Sequence, residues 1–162
     1  MPRTRICCVC LGNICRSPTA QAIMEHRLSS NDFGATFEVE SAGTGNWHVG
    51  HPPDARAQEE ATRRGIPMAS VARQFTADDF ARFDLVLAMD AANLEALRAL
   101  APDDAAAAKV RRLREFDPEA HGDLDVPDPY FGGADGFSAV FDMIDRSVLG
   151  LMGHLRVGDA GG

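Results

Sequence analysis

Arg5-Ile6-Cys7-Cys8-Val9-Cys10-Leu11-Gly12-Asn13-Ile14-Cys15-Arg16-Ser17-Pro18 is the stretch on which the fold turns. Arg5 to Cys10 is a compact apolar run without alternation, as expected of a short strand buried on both faces. Gly12 and Asn13 can take positive φ and so form a tight turn. Pro18 then suits a first helical position, where an absent N–H costs nothing. Ala20, Ile23, Met24 and Leu28 follow at helical spacing. The stretch reads as strand, loop, helix.

Working outward, the same unit recurs. Phe37, Val39 and Ser41 alternate with polar residues into Ala42-Gly43, suggesting a second strand. Asp54 to Arg64 resembles an exposed helix closed by Gly65 and Pro67. Asp84 to Met89 is the clearest buried strand, and Asp90 to Leu100 continues as a helix with Leu94, Leu97 and Leu100 on one face. Val110 to Phe116 reads as a fourth strand, at an edge because of Arg111, Arg112 and Arg114. A loop rich in Asp, Pro and Gly spans Asp117 to Gly136, and loops of such length in compact domains tend to be functional. A last helix carries Phe137, Val140, Phe141, Ile144, Val148, Leu151 and Leu155 as a core-facing stripe. Alternating strands and helices imply a four-stranded parallel sheet with helices on both faces, a three-layer α/β sandwich of flavodoxin-like or Rossmann-like topology. Ligands of such sheets sit beyond the carboxyl ends of the strands, where the Cys10 loop and the Asp117 to Gly136 loop both emerge.

The chain has 162 residues, 45% of them hydrophobic and 25% charged. That suffices for one core without metal or disulfide staples. Residues 1–156 read as a single domain and 157–162 as a flexible tail. The net charge of −8 disfavours nucleic acid and acidic membranes as partners, so an anionic ligand must be captured locally. No apolar run approaches the roughly 18 residues of a membrane span, and the first residues make neither an anchor nor a convincing secretion signal. All four cysteines, Cys7, Cys8, Cys10 and Cys15, lie between positions 7 and 15. So clustered, they join no distant segments as disulfides and complete no zinc set, and the expectation is a cytoplasmic protein without metal or cofactor.

In the turn after Cys10, successive backbone N–H groups from Leu11 to Ser17 can point inward as an anion nest, with a helix N-terminus behind them. Arg16 closes such a ring with a planar fork suited to two phosphate oxygens. A thiol at the base of the ring faces dipoles that favour the thiolate. Cys10 then reads as a nucleophile aimed at phosphorus, whereas Cys7 and Cys8 read as ordinary buried strand cysteines.

With these residues in place, Cys10-Leu11-Gly12-Asn13-Ile14-Cys15-Arg16-Ser17-Pro18 resembles the phosphate-binding signature of the low-molecular-weight protein tyrosine phosphatases. Ser41 to Gly50, Ala72-Arg73-Gln74, Phe83-Asp84, Met89-Asp90 and Asp128-Pro129-Tyr130 resemble further blocks of that family, in the same order. The resemblance implies hydrolysis of phosphotyrosine and small aryl phosphates through a phosphocysteine on Cys10. It assigns the proton donor to Asp128, since composition alone leaves Asp117 and Asp90 equally eligible. Leu11, Gly12, Asn13, Ile14, Cys15, Arg16 and Ser17 would bind phosphate, with Asn13, Ser17 and Ser41 supporting the loop. Trp47, Tyr130 and Phe131 would line the cleft mouth, and Cys15 could pair with Cys10 under oxidation. Asp123, Asp125 and Asp135 read as solvated loop acids. The chain departs from many relatives at Ser70, often a histidine that supports the loop, and at Phe131, often a second tyrosine. The implied partners are phosphotyrosine proteins, a tyrosine kinase among the options, and phosphate or other oxyanions. Two alternatives stand beside this reading: an arsenate reductase of the same fold, disfavoured because no cysteine follows Cys15, and a non-catalytic phosphotyrosine-binding module.

Overall fold

In the first strand, β1 (Thr4–Cys10), the side chains divide by parity. Ile6, Cys8 and Cys10 enter one apolar cluster, and Cys7 and Val9 enter another on the opposite face. The run lacks alternation because both faces are covered. A computed structural model describes residues 4–29, 37–130 and 134–161.

β1 leads through the Cys10 loop into α1 (Arg16–Ser29), followed by β2 (Phe37–Gly43) and α2 (Ala55–Arg63). A 3-10 turn at Ala77–Ala81 precedes β3 (Leu85–Ala88) and α3 (Ala91–Leu100). A single helical turn, α4 (Asp104–Ala107), leads to β4 (Val110–Arg112) and a second 3-10 turn at Leu113–Phe116. The last helix is α5 (Ala134–Gly161). The sheet is parallel throughout, in the order β2-β1-β3-β4. The expected α/β sandwich is therefore present. α1 and α5 pack on the face carrying Ile6 and Cys8, where Phe141, Ile144, Val148 and Leu151 are buried. α3 covers the other face through Leu97, beside Phe75, Phe80 and Phe83.

Several boundaries differ from the sequence expectation. α1 begins at Arg16, so Pro18 is its third residue, still among the first positions that lack an intrahelical acceptor. β4 stops at Arg112 because the Glu115 carboxylate accepts the Arg112 N–H at 2.7 Å and turns the chain into a 3-10 helix. It is an edge strand, as its arginines imply. The tail expected over 157–162 is helical backbone as far as Gly161. Among the described residues, no helix is long and apolar enough to cross a membrane.

The order of the strands positions the site. Chain connections leave β1 and β3 toward opposite faces, so a crevice opens at their carboxyl ends. Cys10 is the last residue of β1, and Asp90, just past β3, caps α3 by accepting the Asn93 N–H at 2.7 Å.

Candidate active site

Cys10 sits at the floor of a cleft of about 160 Å³ beyond the carboxyl end of β1. Its Sγ accepts the Asn13 N–H at 3.3 Å and lies 3.0 Å from Ser17 Oγ. Asn13 is the residue with positive φ here, at 56°, whereas Gly12 is not. Gly12 makes room instead for a neighbour: a Cβ there would stand 3.0 Å from the His48 ring and press against it. Asn13 Nδ2 donates to Ser17 Oγ at 2.8 Å, and its Oδ1 accepts the Arg73 N–H at 3.0 Å. The loop is thus tied beneath to α1 and sideways to the segment after α2.

Among the described residues, the N–H groups of Leu11, Gly12, Ile14 and Cys15 have no protein acceptor, and these same residues line the cleft. Arg16 is 3% exposed, and its Nη1 donates to Asp90 Oδ2 at 2.7 Å and to the Val126 carbonyl at 2.8 Å. Its Nη2 lies 3.8 Å from Asp128 Oδ2. One edge of the guanidinium is therefore anchored while the other faces the cleft.

The structure separates the three eligible aspartates. Asp90 is committed to Arg16 and to the α3 cap. Asp117 is fully buried and held by Arg114, Arg146 and the Glu119 N–H. Burial pushes its carboxyl up, but these donors more than offset that and hold it below the usual range. Asp128 alone of the three lines the cleft, half exposed, with Oδ1 accepting the Tyr130 N–H at 3.0 Å.

Cys15 shares the cleft wall, and burial first, then Asp54, pushes its thiol up to about 12. Burial also raises the Cys7 and Cys8 thiols. Trp47 and Tyr130 stand at the mouth, 69% and 37% exposed. Gly45 leaves room for the indole: a Cβ there would stand 1.9 Å from Trp47 Cζ3. Phe131 lies outside the described residues.

Two expectations require correction. Ser41 does not bond the loop; its hydroxyl donates to Gln21 Oε1 at 2.7 Å, and the lateral tie is the Arg73 amide. Asp125 is more than a solvated acid, since Oδ1 accepts the Ala91 N–H at 2.9 Å and pairs with Arg112. Ser70 borders a separate cleft against Pro18 and Glu25. Sequence reasoning also missed His48, which lines the cleft between Gly12 and Tyr130. Its signal was its place directly after Trp47. Among the described residues no cluster could hold a metal ion.

Comparison with known proteins agrees with this geometry. The model of the family described as low molecular weight phosphotyrosine protein phosphatase matches residues 5–159. The low molecular weight protein-tyrosine-phosphatase of Streptomyces coelicolor is 48% identical over 153 residues, covering 94% of this chain and 93% of that protein. The human low molecular weight phosphotyrosine protein phosphatase is 40% identical over 139 residues, covering 85% and 87%. A crystal structure of a protein tyrosine phosphatase from Entamoeba histolytica, with Hepes in its active site, gives a TM-score of 0.91 at 33% identity, covering 96% of this chain and 99% of that one. Sequence over nearly the full length and backbone over the whole sheet point the same way: this phosphatase belongs to the low molecular weight phosphotyrosine protein phosphatase family.

Proposed function

We propose that the protein hydrolyses phosphotyrosine and small aryl phosphates through a phosphocysteine on Cys10. The observation that carries this reading is the convergence of Cys10, Arg16 and Asp128 on one cleft. The Cys10 thiolate attacks phosphorus in line, forming the S–P bond as the aryl P–O bond breaks. Asp128 gives its proton to the departing phenolate. Arg16 and the free amides of Leu11, Gly12, Ile14 and Cys15 bear the charge on the equatorial oxygens, fixed in place before the reaction. In the second step the Asp128 carboxylate takes a proton from water, whose oxygen displaces the sulfur and releases inorganic phosphate. Ser17, 3.0 Å from Sγ, stabilises the sulfur anion as it leaves.

Trp47 and Tyr130 supply ring faces for the substrate phenyl group, and the recessed sulfur favours phosphotyrosine over the shorter phosphoserine. Phosphotyrosine proteins, a tyrosine kinase among them, are the partners this cleft would take. The test is turnover of p-nitrophenyl phosphate and of matched phosphotyrosine and phosphoserine peptides. Cys10→Ser should abolish turnover, and Asp128→Ala should lower kcat by about a hundredfold or more. Turnover surviving in Cys10→Ser, or equal hydrolysis of both peptides, would overturn the corresponding part of the reading.

A further inference from the structure

Arg56 takes no part in the chemistry described above, yet it joins the two loops that do. It stands in the first turn of α2, whose N-cap, Asp54, accepts the Arg56 backbone N–H at 2.8 Å. The Asp54 N–H donates to the Ile14 carbonyl at 2.8 Å, which seats this cap against the phosphate loop. The Asp54 carboxylate grips the guanidinium with both oxygens, Nε to Oδ1 at 3.1 Å and Nη2 to Oδ2 at 3.1 Å. Nη2 also donates to the Tyr130 carbonyl at 2.9 Å. The guanidinium carbon lies 5.4 Å from the Tyr130 ring centre and 4.7 Å from that of Phe137 on α5.

Tyr130 is the residue whose own N–H holds Asp128 Oδ1 at 3.0 Å. An unbroken series of contacts therefore runs from the phosphate loop to the Asp128 carboxyl: Ile14, Asp54, Arg56, Tyr130, Asp128. On the other side of Asp128 a second guanidinium does the equivalent, Arg16 Nη1 holding the Val126 carbonyl at 2.8 Å. Asp128 thus hangs midway between two arginine-to-carbonyl anchors, at Val126 and at Tyr130. Arg16 faces the reacting phosphate as well, so Arg56 is the anchor that can be removed without touching it.

We propose that Arg56 is a positioning residue for the general acid, holding the Asp128-Pro129-Tyr130 turn in register with the phosphate loop. This rests on Asp128 being the proton donor. A displacement of that carboxyl by about 1 Å removes proton transfer but leaves phosphate binding and nucleophilic attack intact. The loss then depends on how much the leaving group needs its proton, a dependence that general loosening of the fold does not produce.

The test measures kcat/KM, which reports the first chemical step, for phenyl phosphate and for 2,4-dinitrophenyl phosphate, whose phenolate leaves unaided. Arg56→Met keeps the aliphatic bulk and leaves the backbone N–H that caps α2. It should lower kcat/KM for phenyl phosphate by about tenfold while changing the dinitrophenyl ester by less than about twofold. Inhibition by inorganic phosphate should also stay within about twofold, showing the phosphate loop undisturbed. Arg56→Lys retains a cation that reaches Asp54 or Tyr130 but not both at once, and should lose only about threefold on phenyl phosphate. Equal losses on both esters, or none on phenyl phosphate, would overturn the role of Arg56. Asp128→Ala runs alongside. If it fails to discriminate between the esters, the acid assignment falls and this inference with it; if it discriminates and Arg56→Met does not, Arg56 alone is refuted.

Discussion

Asn13 shapes the phosphate loop in two separable ways. Its φ of 56° is a conformation that asparagine tolerates better than most residues, and its carboxamide ties Ser17 to the Arg73 amide. Asn13→Ala removes both, a strain of about 1 kcal/mol added to buried hydrogen bonds worth about 1–3 kcal/mol. Asn13→Gly removes only the bonds. Urea unfolding should therefore rank wild type above Asn13→Gly and Asn13→Gly above Asn13→Ala; a reversed order of the two variants would show that backbone conformation is not the constraint. The thiols give a second expectation at this scale. With Cys15 pushed up to about 12 and Cys7 and Cys8 raised by burial, none of the three is a ready nucleophile near neutrality. Limited iodoacetamide treatment followed by peptide mapping should find Cys10 labelled first, and Cys10→Ser should be nearly inert. Faster labelling of Cys15 would sink the assignment of Cys10 as the nucleophile.

At the scale of elements, β1, β3 and α3 were legible because buried strands and amphipathic helices write their periods into the sequence, as Leu85 to Ala88 and Leu97 illustrate. The end of β4 was not, because one side chain, Glu115, captures the Arg112 amide, and that competition has no periodic signature. The same holds in the site. The candidates Cys10 and Arg16 were readable from the strand-turn-helix context around them, whereas Asp128 stood out from Asp90 and Asp117 only through its resemblance to the family's Asp-Pro-Tyr block, since which carboxylates other elements engage has no signature in the sequence. His48 escaped notice because its one signal, a place directly after Trp47, is adjacency to another candidate rather than a spacing of its own. The loop that carries Asp128 is fastened at its start by Asp117, whose side chain sits between Arg114 and Arg146 on α5. Asp117→Asn leaves both arginines short of their anion, and because they are only partly buried the cost should be about 2 kcal/mol rather than the larger value of a fully buried pair. Turnover at a temperature well below unfolding should change little, since Asp117 does not face the cleft; a loss as large as that of Asp128→Ala would mean that Asp117 shares the acid role.

For the whole molecule, the β2-β1-β3-β4 order places Cys10 at the crevice, and Asp128 lines the same cleft. The same arrangement sets how stability responds to pH, because distant segments are joined by carboxylates in arginine-rich surroundings. Burial would raise the carboxyls of Asp54, Asp79 and Asp117, but hydrogen bonds from backbone amides and arginines outweigh it, and all three lie below their ordinary range. Such groups stabilise the fold above the unfolded value of about 4, and that contribution disappears as pH falls through the lower folded values. Two effects have the opposite sign at milder pH. Glu25 is raised by burial, so its folded form gains from protonation before the unfolded chain does. The net charge of −8 makes the native state repel itself near neutrality, and partial titration of surface acids relieves this. The urea midpoint should therefore hold level or rise slightly from about pH 7.5 to about pH 5.5 and fall steeply below about pH 4. Asp117→Asn should begin from a lower midpoint and descend less steeply in acid, since it has one fewer depressed carboxylate to protonate. A midpoint that continues to climb at about pH 3.5 would mean that self-repulsion outweighs the arginine-paired carboxylates, and that these pairs are not what fastens the loops to the sheet.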